Sequence, residues 1–167
     1  MRAVRHAGFT LIELLVVLVL IGIIVSFAAL SVGGSGEREV EQEARRLAAL
    51  VKLASDEAVL KSLEMAVLFA PDGYQFMVRR DDHTWAVLAD EVFRRRALPA
   101  GFSLELAVDG LPVDLGKPKE PPEPQVFLLS DGERTAFEVE LGVMEGPRYR
   151  VTGPMLGDLQ LSVAEAP

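Results

Sequence analysis

Cysteine is absent from the 167-residue sequence, histidine occurs twice and tryptophan once. Without cysteine there is no disulfide framework, no thiol nucleophile and no thiolate metal site, so packing alone has to hold the fold. The histidines are His6 and His83, one beside the amino terminus and one in a polar stretch. They leave no serine, histidine and acid set, and no G-x-S-x-G pattern is present. No Gly-Lys-Ser/Thr follows a glycine-rich stretch, which argues against a phosphate-cradling loop. Cationic residues are the minority: 17 lysines and arginines stand against 25 acids, for a net charge of −8. Such a chain is a poor partner for nucleic acid or anionic headgroups, which ask for a broad basic field. No catalytic residue, cofactor or metal centre is therefore expected. The carboxylates Asp81-Asp82 and Asp131 with Glu133 read as turn residues, because neither group belongs to a spaced calcium-binding loop.

What the chain has in excess is one apolar run. Arg2, Arg5 and His6 precede Gly8-Phe9-Thr10-Leu11-Ile12-Glu13, and the residues from Leu14 to Leu30 carry no charge. As a helix, Phe9 to Val32 would extend about 36 Å, against about 30 Å for the hydrocarbon core of a bilayer. The basic leader places the amino terminus in the cytoplasm and everything after Val32 on the far side of a single span. Glu13 is the anomaly. A carboxylate in such a segment is costly and marks a functional position that asks for a cationic partner. The same basic-then-apolar order describes an ordinary secretory signal cut near Ser31, ahead of a secreted or anchored binding domain. That reading leaves Glu13 without a use, and the run exceeds the roughly 7–15 residues usual for a signal.

Gly33-Gly34-Ser35-Gly36 predicts a break in the helix at 33–36, since each glycine costs about 1 kcal/mol relative to alanine there. From 37 to 64 helical spacing returns: Val40, Ala44, Leu47, Val51, Ala54 and Ala58 draw one apolar stripe. Residues 65–167 then read as short strands separated by turns. Met65–Ala70 and Tyr74–Arg79 flank Pro71-Asp72-Gly73, a hairpin signal, and Val126–Leu129 and Thr135–Leu141 flank Ser130-Asp131-Gly132-Glu133, a second one. Further strands are expected at Trp85–Ala89, Phe93–Leu98, Phe102–Val108, Arg148–Thr152 and Leu159–Val163, and an exposed loop at the proline-rich 116–124. The predicted class is α+β: a long amino-terminal helix, membrane-spanning in its first half (9–32) and amphipathic in its second, packed on an antiparallel β-sandwich or two-sheet domain. Arg94-Arg95-Arg96, the one basic cluster, reads as a charged edge strand or salt-bridge patch rather than a nucleic-acid contact.

Gly8-Phe9-Thr10-Leu11-Ile12-Glu13 resembles the class III signal of type IV pilins and type II secretion pseudopilins. The resemblance implies a leader, 1–8, cut between Gly8 and Phe9 by a prepilin peptidase, with N-methylation of the new Phe9 terminus. It also implies that Glu13 guides subunits from the inner membrane into a helical filament, the periplasmic pseudopilus. The missing carboxy-terminal disulfide loop tilts the comparison toward pseudopilins. The Ser130–Glu133 turn, the strand Phe137–Leu141 and the closing strand after Thr152-Gly153 are similar to the H-type minor pseudopilins, the GspH family. That similarity implies a non-enzymatic subunit of the type II secretion pseudopilus, working with other minor pseudopilins, the major pseudopilin and an inner-membrane assembly platform. Its globular domain would lie in the periplasm. A type IV minor pilin of the FimT kind, serving adhesion or DNA uptake, is the alternative.

Overall fold

The computed structural model describes residues 11–32, 35–116, 122–143 and 146–164. The chain divides into two units that meet between Ser35 and Gly36. The first unit contributes α1 (Leu11–Val32). This helix is apolar on every side, so it lacks the polar face of a helix that rests on a protein core. Its side chains are described as far as Ile24, and all of these are exposed. Among the described residues no helix is long and apolar enough to cross a membrane. Gly8, Phe9, Gly33 and Gly34 lie outside the described residues.

The second unit begins with α2 (Ser35–Lys61), which starts and ends a little earlier than the spacing predicts. Its stripe of Val40, Ala44, Leu47, Val51, Ala54 and Ala58 is completely buried. Opposite it run the ion pairs Glu41–Arg45, Asp56–Lys52 and Glu57–Lys61, each at i,i+4 spacing and worth a few tenths of a kcal/mol. The helix stops at Lys61 rather than 64 for a local reason. Ser62 adopts φ 51°, its N–H bonds the Val59 carbonyl at 3.3 Å, and the Leu63 N–H reaches back to the Ala58 carbonyl at 3.0 Å. That pair of bonds is the Schellman arrangement, with a serine in the left-handed position usually held by glycine.

Ten strands follow: β1 (Met65–Ala70), β2 (Gly73–Arg79), β3 (Trp85–Val87), β4 (Arg96–Ala97), β5 (Phe102–Val108), β6 (Leu111–Val113), β7 (Val126–Leu128), β8 (Phe137–Val143), β9 (Arg148–Gly153) and β10 (Gln160–Ala164). They form two five-stranded sheets. One runs β3-β2-β1-β7, with β4 also on β2; the other runs β10-β9-β8-β5-β6. Every pairing is antiparallel. Both sheets give their inner faces to one core with α2: Met65, Val67 and Phe76 from the first, Leu106, Val139 and Val151 from the second.

Three local readings change. The expected strand Phe93–Leu98 shrinks to β4, because Asp90 Oδ1 accepts the Val92 N–H at 2.7 Å and the chain turns Phe93 into the core. Its ring lies 5.1 Å from that of Phe76. Thus β3 and β4 are one interrupted edge along β2: the Arg79 to Met77 end pairs β3, and the Gly73-Tyr74 end pairs β4. Gly73, at φ 151°, lets β4 approach so closely that a Cβ there would run into the Arg96 carbonyl.

The second expected hairpin is only begun. Leu128 bridges Arg134, and the Leu129 N–H bonds the Glu133 carbonyl at 2.8 Å. Beyond that the chain changes sheets, since β7 pairs with β1 while β8 lies between β5 and β9. The added strand β6 follows Asp109-Gly110, with φ of 51° and 77°, the paired positive angles of a tight hairpin turn. Of the expected loop 116–124, residues 117–121 lie outside the described residues.

Candidate assembly interface

Glu13 sits in the first turn of α1, among exposed side chains such as Leu11, Ile12 and Leu14. An acid suits the amino-terminal end of a helix, where the macrodipole is positive. Continuous exposed apolar surface of this kind marks a contact with something outside the chain, either another protein or lipid. Gly8 and Phe9, the predicted cleavage and methylation residues, lie outside the described residues.

In the second unit, Glu43 brings a charged group into the buried face of α2. It lies one position before Ala44 of the buried stripe and is itself buried. Its Oε1 accepts the Tyr74 hydroxyl at 2.8 Å, and its Oε2 accepts from Arg46 Nη1. Burial, then the neighbouring Glu43 carboxylate, pushes the Tyr74 phenol far above its ordinary range. The sequence does not single out Glu43 or Tyr74. The available signal is a glutamate placed where the helical stripe calls for an apolar residue.

Beside this pair, Arg94, Arg95 and Arg96 line an open cavity of about 430 Å3 together with Glu43 and Arg46. Two of the three arginines are tied into the domain. Arg95 Nη2 donates to Asp72 Oδ2 at 2.6 Å, and Arg96 Nη2 to the Val92 carbonyl at 3.2 Å. The cluster is thus partly a brace for the β1–β2 turn and for the loop before β4, in keeping with the reading of a salt-bridge patch.

A second cavity, about 540 Å3, lies between the β1–β2 turn and the segments on either side of 117–121, with Leu68, Pro71, Leu115 and Pro124 in its wall. The turn carboxylates are occupied locally. Asp82 Oδ1 accepts the Thr84 N–H at 3.0 Å and the Thr84 hydroxyl at 2.6 Å, and these bonds hold the Asp82 carboxyl below its ordinary value. Asp131 Oδ1 accepts the Glu133 N–H at 3.0 Å. His83 is exposed in the same turn as Asp82, at φ 65°. Among the described residues no group of three His, Asp or Glu side chains is placed to hold a metal ion.

Comparison with known proteins gives two family matches. The model of the prokaryotic N-terminal methylation motif covers residues 4–29, and that of the type II transport protein GspH covers residues 43–157. The type II secretion system protein H of Pseudomonas aeruginosa is 39% identical over 160 residues, covering 90% of this chain and 89% of that protein. Its namesake in Aeromonas hydrophila is 30% identical over 152 residues, covering 84% and 83%. The crystal structure of the minor pseudopilin EpsH from the type II secretion system of Vibrio cholerae matches with a TM-score of 0.67 at 25% identity, over 80% of this chain and all 100% of that one. The solution structure of Escherichia coli GspH has a TM-score of 0.59 at 20% identity, over 79% and 94%, which shows the shared fold.

Proposed function

Because this chain belongs to the GspH family of type II transport proteins, we infer how its parts serve a minor pseudopilin, the function that its relatives carry. The observation that bears most weight is the GspH match over 43–157, the whole of the buried α2 stripe beyond Val40 and nearly all of both sheets. The protein is a structural subunit that works with other pseudopilins. Residues 9–32 anchor it in the inner membrane in a single pass, with the amino terminus cytoplasmic and the two-sheet domain periplasmic. The apolar sequence of the segment and the exposure of Leu11 to Ile24 support this.

Prepilin peptidase cuts between Gly8 and Phe9, and Phe9 becomes the N-methylated terminus. The methylation motif at 4–29 supports that step. The inner-membrane assembly platform then adds the subunit to the pseudopilus, where it links a tip complex of minor pseudopilins to the major pseudopilin below.

Glu13 carries the chemistry of addition. In the apolar setting of packed α1 helices its carboxylate needs a cation. The α-amine of Phe9 on the subunit already placed supplies one. The pair neutralises both groups and sets the axial register, as a single buried polar residue sets register in a coiled coil. Replacing Glu13 with leucine tests this. The variant should insert and be cleaved, yet fail to crosslink to neighbouring subunits and fail to support secretion; Glu13→Asp should retain part of the function. Normal crosslinking and secretion by Glu13→Leu would overturn the pairing.

A further inference from the structure

Among the described residues, three of the four sheet edges are guarded against strand addition, and β10 is not. On the first sheet, β3 and β4 form a short edge broken by the 88–95 loop, with Arg94 and Arg95 just before β4 and Arg96 in it. The edge strand β7 has three residues, and Gln125 just before it bonds the Phe69 backbone on both sides, through Oε1 at 2.8 Å and Nε2 at 3.3 Å. On the second sheet, β6 has three residues with Pro112 in the middle. Shortness, interruption, charge and proline are the usual devices that keep an edge from pairing. The strand β10, Gln160–Ala164, has five residues, no charge and no proline.

The register fixes which of its backbone groups face outward. The Asp109 N–H bonds the Ala136 carbonyl at 2.9 Å, so even-numbered residues of β8 bond to β5 and its odd-numbered residues bond to β9. Carried across β9, the alternation directs Arg148, Arg150 and Thr152 toward Ala164, Ser162 and Gln160. The N–H and C=O groups of Leu161 and Val163 are left on the open side. The side chains of these two residues extend the core face past its last strand. Leu161 lies across from the buried Val151, and Val163 lies across from Tyr149 while staying 63% exposed. Glu41 and Glu37 of α2 bear on the Tyr149 phenol, and Arg45, paired with Glu41 at 2.7 Å, opposes them, so Glu37 is the acid at this end without Arg45 as its partner.

We infer that the open edge of β10 receives an extended strand from a different pseudopilus subunit, bonded to the backbone of Leu161 and Val163, with an apolar residue over Val163 and a cation toward Glu37. A backbone row of this kind is matched group for group by another extended backbone. A second copy of this chain is disfavoured, because self-pairing would bring two Glu37 side chains together on chains that each carry −8. The inference rests on the pseudopilin reading and adds the surface through which a partner docks.

Amide hydrogen exchange on the full-length protein tests it, in detergent alone and in complex with the other pseudopilins of its secretion system. Alone, Leu161 and Val163 should exchange fast while Gln160, Ser162 and Ala164 are protected. In the complex the first two should slow by about 100-fold or more. Val163→Pro removes one outward N–H without touching the β9 ladder, and it should prevent co-purification with the partner; Val163→Thr should not. Fast exchange at both positions inside an intact complex would overturn the docking site while leaving the pseudopilin reading in place. Protection that develops with concentration in the lone protein would overturn it in favour of self-pairing. Failure of the chain to join any pseudopilin complex would overturn both. Should Val163→Pro not fold, the wild-type exchange pattern still decides.

Discussion

The Tyr74 hydroxyl donates to Glu43 Oε1 at 2.8 Å and ties β2 to α2 from inside the core. The phenol is held neutral far above its ordinary pKa of 10.0. A group whose pKa is higher in the folded state than in the unfolded one contributes stability that is complete below the unfolded value and is lost as pH rises past it. Thermal melts between about pH 8 and 11 should therefore show a decline that begins near 10. The decline should be shallower in Tyr74→Phe and should keep a small residue from Tyr149, whose phenol is also raised by burial and by Glu41 and Glu37. At neutral pH, Glu43→Ala should cost about 1–3 kcal/mol in urea melts, because it strands a buried hydroxyl and the Arg46 guanidinium.

Ser62 ends α2 in a conformation that suits glycine better. Ser62→Gly should raise stability by about 1 kcal/mol, since it relieves the left-handed backbone penalty and leaves both closing bonds in place. An unchanged or lower melting temperature would contradict the assignment of the cap.

Gly73 has no room for a methyl group against the Arg96 carbonyl. Gly73→Ala should push β4 off β2 and cost about 1–3 kcal/mol in denaturant melts. The same change at the open turn position Gly101, where nothing lies within 4 Å of the added carbon, should cost less, and what it does cost should come from the positive φ alone.

Processing at Gly8-Phe9 is read out by intact mass and amino-terminal sequencing of membrane-extracted protein. The expected chain begins at methylated Phe9, and a bulky substitution of Gly8 should leave the full-length precursor. A terminus near Val32 would instead support an ordinary secretory signal.

The parts of the fold legible in the sequence are those set by local chemistry. The α2 stripe follows from helical spacing, and the β1–β2 hairpin from Pro71-Asp72-Gly73 between apolar runs. The strand boundaries of β1 and β5 coincide with the expected ones. What the sequence hides depends on partners far along the chain. Phe93 looks like a strand residue until the Asp90 turn buries it beside Phe76. Ser130–Glu133 looks like a complete hairpin, although its two arms belong to different sheets. The strand β6 is not among the elements expected from the sequence, although Asp109-Gly110 ahead of it is a strong local turn signal. Glu13 stood out because an acid is rare in an apolar run. Glu43 did not, because acids are common throughout α2.

The crossing from β7 to β8 also sets a schedule. The strand β1 lies inside its sheet only after β7, some 60 residues further along, has arrived on its second side. A chain emerging amino terminus first can close the β1–β2 hairpin at once, yet it must carry β1 with one edge bare until residues 126–128 follow. Contacts between residues so distant in sequence form slowly, and a bare central strand invites the wrong neighbour meanwhile. Completion of the first sheet therefore waits on the arrival of residues 126–128.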